Sequence, residues 1–329
     1  MSIVIAPLKR MFESRRFERN AAFYLLLLAG LGYVLIAVAT GQMQYLTLDN
    51  LVSILGRTVA LGITAIGQTF AILIASIDLS VASLISAASV LASVVMNGDP
   101  GMIVPAILAV AVLGAVVGLI NGVLIAYFDV NPLIATLAMS LIIQGILSAF
   151  VTNFAGDVPE GFQVFAYGTF AGVPYALILM LLLALGAWFV LRHTRFGANI
   201  YSVGGNPAAA RSAGIRTSRV IISAHLICSL CAALAGIYLA SRLRAGAPWI
   251  GADGVYDLES IAVVVIGGTV LSGGRGGIWG TMAGVMIFSL LDSIFNLTGV
   301  DAFVKQVLRG VIIVGAVALY SYRSGRIAA

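Results

Sequence analysis

The chain alternates long apolar runs with short polar breaks, and ten of the runs reach membrane-crossing size, on the order of 20 residues each. They cover 21–40, 51–75, 80–96, 103–127, 133–153, 174–191, 219–240, 258–272, 277–296 and 304–322. Pro132, Pro174 and the Gly-Gly pairs at 267–268, 273–274 and 276–277 punctuate them. The pattern predicts an all-α polytopic membrane protein of about ten transmembrane helices, with a membrane domain over 21–322. No segment between runs is long enough to bury a separate soluble core.

Composition agrees. Of 329 residues 61% are hydrophobic and 9% charged, where a soluble domain carries roughly a quarter charged. The net charge of +5 is informative by position. Lys9, Arg10, Arg15, Arg16 and Arg19 precede the first run; Arg192, Arg195, Arg211, Arg216 and Arg219 flank a polar island; Arg275, Arg323 and Arg326 follow later. These are 13 of the 18 cations, so this face reads as cytoplasmic, with both termini inside. Residues 1–20 then form an N-terminal interfacial segment, basic and apolar by turns, on the inner leaflet, and 323–329 a cytoplasmic tail.

The polar island spans 201–219, within the inner loop 192–218. Gly204-Gly205 reads as a turn, Asn206 as a helix cap, and Pro207 occupies the first helical position. Ala208, Ala209, Ala210, Arg211, Ser212 and Ala213 favour helix, and Gly214 supplies the stop. A short exposed helix over 205–215 at a membrane surface suits engagement of a soluble partner. On the outer side the loops 154–173 and 241–257 hold Arg242, Arg244, Trp249 and Asp253, which fit either a docking surface or a solvated rim.

Polar residues at bilayer depth face a lumen or one another. Gln68, Asn121 and Gln144 are the central ones, all neutral amides, and central carboxylates are scarce. Such a path suits an uncharged polyol better than a proton or sodium relay. Each amide by itself is better explained as an interhelical hydrogen bond, and only the set points to a pathway. Asp78 reads as a cap of the third span, His225 as a packing residue, and Lys305 with Arg309 as partners of Asp301 and Asp292. Cys228 and Cys231 lack a second ligand pair and read as helix-packing residues; no metal site or catalytic pair is expected. Gly-rich 272–280 lacks the Lys-Ser/Thr of a phosphate loop.

A weak internal repeat pairs spans two to five with spans seven to ten at an offset of 170, matching Gly114 to Gly284 and Val130 to Val300. The partners are five spans apart, which makes the repeat inverted. A competing register, 74–80 on 266–272, covers less of the chain.

Ser76-Ile-Asp-Leu-Ser-Val-Ala-Ser83, Arg195-Phe-Gly197, Gly204-Gly-Asn-Pro-Ala-Ala-Ala-Arg-Ser-Ala-Gly-Ile215, Ala235-Gly236 and Ile266-Gly-Gly-Thr-Val-Leu-Ser-Gly-Gly-Arg-Gly276 together resemble the ribose-type permease subunits of ATP-binding-cassette importers. The resemblance covers about residues 50–320. It implies an architecture similar to vitamin B12-type importer permeases and a bacterial inner-membrane location. It also implies a second permease copy or paralogue, a cytoplasmic ATPase subunit that uses ATP and Mg²⁺, and a periplasmic sugar-binding protein. Residues 206–214 become the coupling helix seated in the ATPase. The cargo implied is a monosaccharide such as ribose, or another small polyol. A branched-chain amino-acid permease and an ion-coupled secondary carrier are the alternatives. Ala82 stands where the family's junction usually has glycine, which predicts a looser backbone approach there.

Overall fold

A computed structural model describes residues 15–301, 303–312 and 314–315. Residues 1–14, the tail 323–329 and, in the last predicted run, 313 and 316–322 lie outside the described residues. In chain order the α-helices are α1 Arg15–Ala39, α2 Leu48–Leu73, α3 Val81–Met96, α4 Ile103–Tyr127, α5 Pro132–Phe150, α6 Glu160–Tyr167, α7 Tyr175–His193, α8 Arg195–Gly205, α9 Pro207–Ser212, α10 Thr217–Leu243, α11 Ile250–Asp253, α12 Tyr256–Ile266 and α13 Ile278–Leu297. Helix continues over 303–312. The strands β1 Thr169–Phe170 and β2 Val173–Pro174 form one small antiparallel hairpin.

Seven of the helices are long and apolar enough to cross a membrane, and Val81–Met96 is a shorter apolar one. The chain is an all-α polytopic membrane protein. α1 begins at Arg15 and runs unbroken to Ala39, so residues 15–20 are helical and continuous with the first apolar run. Two expectations need correction. The run 258–272 is helical only as α12; Gly267 ends it and Gly268 takes a φ of +90°, so 267–277 is a turn-rich re-entry rather than helix. Gly204-Gly205 is not a turn but the last residues of α8.

α10 is the axis of the bundle and packs against α2, α3, α4 and α6. Its closest neighbour is α4, whose Gly114, Gly118 and Gly122 recur every four residues and form one small-residue ridge. A side chain at Gly118 would place its Cβ 2.7 Å from Leu226 Cα, and one at Gly122 the same distance from Ile222 Cα. The two backbones are therefore in direct contact, which gives dispersion its shortest range where lipid supplies no hydrophobic drive between helices. Gly118→Leu should cost about 1–3 kcal/mol through overpacking and lower the thermal unfolding midpoint in detergent. Gly145→Ala, on the open face of α5 with nothing within 4 Å, should leave it unchanged.

The outward faces of α1, α4, α5 and α7 expose large apolar side chains, among them Leu27, Leu108, Leu141 and Leu182. That is the surface a lipid-facing helix needs. Close approach at Ala82 is retained, contrary to expectation. The glycine comes from the other side, since a Cβ on Gly251 would lie within 2 Å of the Ala82 carbonyl, at 1.8 Å.

Candidate functional site

At one end of the bundle α8 and α9 stand beside the C-terminus of α2. α9 forms because Asn206 caps it, its Oδ1 accepting from Ala209 N–H at 3.0 Å, and because Pro207 gives up no hydrogen bond at the first position. Gly214, at φ +82°, closes it. Of residues 206–214 only Ala210 is buried; Asn206, Pro207, Ala208, Ala209, Arg211, Ser212, Ala213 and Gly214 are exposed. The capped helix of the sequence reading is present, though its helical residues number only six, Pro207–Ser212.

α8 ties this helix to the bundle. Gly204 meets the Leu73 carbonyl so closely that a Cβ would lie 1.8 Å from its oxygen, and Gly274 N–H donates to that same oxygen at 2.9 Å. The Tyr201 hydroxyl donates to Gly276 O at 3.0 Å. Burial pushes this phenol above its ordinary pKa, which keeps the proton available for that bond.

Directly beyond Leu73 lies a buried polar network. Asp78 Oδ1 accepts from Ser80 N–H at 3.0 Å and from the Ser80 hydroxyl at 2.5 Å. Asp78 Oδ2 is 3.2 Å from His225 Nδ1, and Ser76 Oγ is 2.8 Å from His225 Nε2. Asn121 Nδ2 donates to Ser80 Oγ at 3.0 Å. The Gln68 amide donates to Asp78 O at 3.3 Å and accepts from Asp78 N at 3.2 Å, with Cys228 Sγ 3.3 Å from its terminus. Every one of these polar side chains is nearly or wholly inaccessible. The network joins α2, the α2–α3 junction, α4 and α10, so it fixes the junction's path rather than merely capping a helix.

Two readings change accordingly. His225 is not a lone packing residue, since both ring nitrogens have partners. Asp78 serves Ser80 and His225, and α3 begins without a side-chain cap at Ser80. Sequence gave no sign of the pair, because 147 residues separate its members. Gln68 and Asn121 meet in this network, whereas Gln144 stands apart on α5. It is half-buried, with Ser83 Oγ 3.5 Å from its Oε1 and 2.8 Å from Ser140 Oγ.

At the opposite end the two longest connecting segments are joined to each other. Ala155 and Gly246 exchange backbone hydrogen bonds at 2.9 Å, Val158 N–H donates to Arg244 O, and the Tyr167 hydroxyl donates to Arg242 O. Trp249 meets the Phe154 ring edge-on at 5.3 Å. Arg244 and Asp253 are exposed, while Arg242 and Trp249 are half-buried. Nearby, Arg309 pairs with Asp292 at 2.6 Å and with Glu259 at 2.8 Å. Glu259 was not among the partners expected. Asp301 instead caps Phe303 N–H, and Lys305 donates to Asn296. Among the described residues no group of three or more His, Cys, Asp or Glu side chains could hold a metal ion.

A family described as "Branched-chain amino acid transport system / permease component" matches residues 50–317. The chain is 38% identical over 291 residues to the ribose import permease protein RbsC of Escherichia coli K12, covering 86% of this chain and 89% of that one. To the protein of the same name in Bacillus subtilis 168 it is 39% identical over 297 residues, 88% and 90% of the two chains. The galactose/methyl galactoside import permease protein MglC of Escherichia coli K12 is 32% identical over 330 aligned positions, 94% and 96%. No solved structure matches.

Proposed function

Because the chain belongs to the family of branched-chain amino acid transport system permease components, we propose that it is the membrane subunit of an ATP-driven importer for a monosaccharide. The observation that carries the cargo is the 38–39% identity, across nearly nine-tenths of the chain, to ribose import permeases. The family description names branched-chain amino acids, which keeps that cargo as the second reading. Reconstitution with the cognate ATPase and binding protein separates them: D-ribose or D-galactose accumulates with ATP and L-leucine does not. Accumulation driven by an ion gradient without the ATPase would instead establish a secondary carrier.

In this reading α12 with the turn-rich stretch after it makes one further crossing and the helix from 303 another, giving ten with the eight apolar helices. Packing favours an inverted repeat. α4 lies against α10 as α13 lies against α2, and α3 against α10 as α12 against α2, which is the exchange expected if spans two to five correspond to seven to ten. That symmetry supports the vitamin B12-type arrangement of this reading. In this reading α8, α9 and both termini are in the cytoplasm of a bacterial cell and the α6–α11 rim is outside, supported by the gathering of basic residues on the former segments.

Residues 206–214 then couple the ATPase to the membrane. The exposed alanines and Arg211 enter a groove of the ATPase, which supplies the ATP and Mg²⁺ chemistry. Its movement passes through α8 and the Gly204–Leu73 contact to α2 and the Asp78–His225 network. Outside, Arg242, Arg244, Trp249 and Asp253, held by the Ala155–Gly246 pairing, receive the sugar-binding protein. A second copy or paralogue completes the membrane unit, and Gln68, Asn121 and Gln144 mark polar points along its interior. Arg211→Glu should reduce ATP-driven uptake at least tenfold with the chain still present in the membrane. Undiminished uptake in that variant removes the coupling role.

A further inference from the structure

Between α2, α12, α13 and the helix at 303–312 lies a cavity of about 200 Å³ whose wall carries Arg57, Tyr256, Glu259, Ser289, Asp292 and Arg309. Charged groups at membrane depth persist where they pair or line an aqueous space. Here pairing is incomplete. Arg309 gives one nitrogen to each carboxylate, through Glu259 Oε1 and Asp292 Oδ1. Glu259 Oε1 is buried and lacks a well-directed hydrogen bond. Among the described residues no hydrogen bond reaches Glu259 Oε2 or Asp292 Oδ2. A cluster serving only to clamp helices would gain more from a bidentate fork on one carboxylate. This one keeps acceptor atoms unused beside open space.

We propose that this cavity is a subsite for an uncharged polyol, a single monosaccharide ring, on its way through the bundle. The proposal rests on the importer reading above, whose orientation puts the cavity in the outward half of the membrane. Two guanidinium groups and two carboxylates sum to no formal charge, so a neutral guest enters without electrostatic cost. Each sugar hydroxyl both donates and accepts. Carboxylates that only accept and guanidinium groups that only donate satisfy both halves of it. Tyr256 offers an aromatic surface and a hydroxyl. The volume is below the roughly 300–1,000 Å³ of pockets for drug-sized ligands, which favours one ring over an oligosaccharide.

The test uses the complete complex with its ATPase and binding protein, and D-ribose and D-galactose as probes. In Ser289→Cys, the thiol should react with a small maleimide, and saturating sugar with binding protein and ATP should slow that reaction at least threefold. Ser289→Phe, which fills the cavity, should cut uptake at least tenfold while the assembled complex still hydrolyses ATP. Unslowed labelling overturns the proposal, and so does full uptake in the filled variant. Failure of the unsubstituted complex to accumulate either sugar overturns the importer reading instead, so the two failures are distinct.

Discussion

Gly204→Val should abolish ATP-driven sugar uptake, while Gly205→Ala should leave it intact. The two glycines are adjacent and identical in type, but a Cβ at Gly204 would lie 1.8 Å from the Leu73 carbonyl oxygen and 2.7 Å from Gly274 N, whereas at Gly205 nothing lies within 4 Å. No rotamer relieves the first clash, because both obstacles are backbone. α8 would have to move away from α2, breaking the Gly274–Leu73 hydrogen bond that closes the contact. Overpacking of this kind costs about 1–3 kcal/mol where side chains can yield, and more against rigid backbone. Gly204→Ala should show an intermediate loss. The measurements are uptake in proteoliposomes and ATP hydrolysis by the complex. Hydrolysis that continues without uptake places the defect in transmission, and normal uptake in Gly204→Val excludes this contact from the pathway of motion.

Asp78→Ala should destabilise the chain most among single substitutions. It strips His225 Nδ1 and both the amide and hydroxyl of Ser80 of their acceptor at once, in a site closed to water. Removing one partner of a buried pair costs on the order of 3–5 kcal/mol, mostly because the other is left unsatisfied. The chain should therefore show a markedly lower unfolding midpoint in detergent and a reduced level in the membrane. Combining it with His225→Leu should cost less than the sum of the two single changes, since the pair fails as a unit. Additive losses would mean that Asp78 and His225 act separately. Asp78→Asn keeps an acceptor toward Ser80 and should fall between.

These two sites show where sequence reading succeeds and where it stops. The α9 helix was legible because its determinants are local: Asn206 caps, Pro207 starts and Gly214 ends it, all within nine residues. The membrane class was legible because run length and apolarity are summed properties that no tertiary contact reverses. Arg309 with Asp292 was within reach, but its bond to Glu259 was not, because Glu259 lies 50 residues away on a helix whose packing no local pattern encodes. The run 258–272 is predominantly apolar, and hydropathy alone does not reveal that Gly267 and Gly268 turn the chain.

The sequence by itself determined the all-α membrane character and the capped helix. These follow from solvent, period and local hydrogen bonding. Only the tertiary structure decided that Asp78 finds His225, that Gly204 rather than Gly205 meets the Leu73 carbonyl, and that two carboxylates share one guanidinium beside a cavity. Each of those depends on which backbones come within contact distance. Apolar helices of similar composition carry almost no information about that until they are packed together.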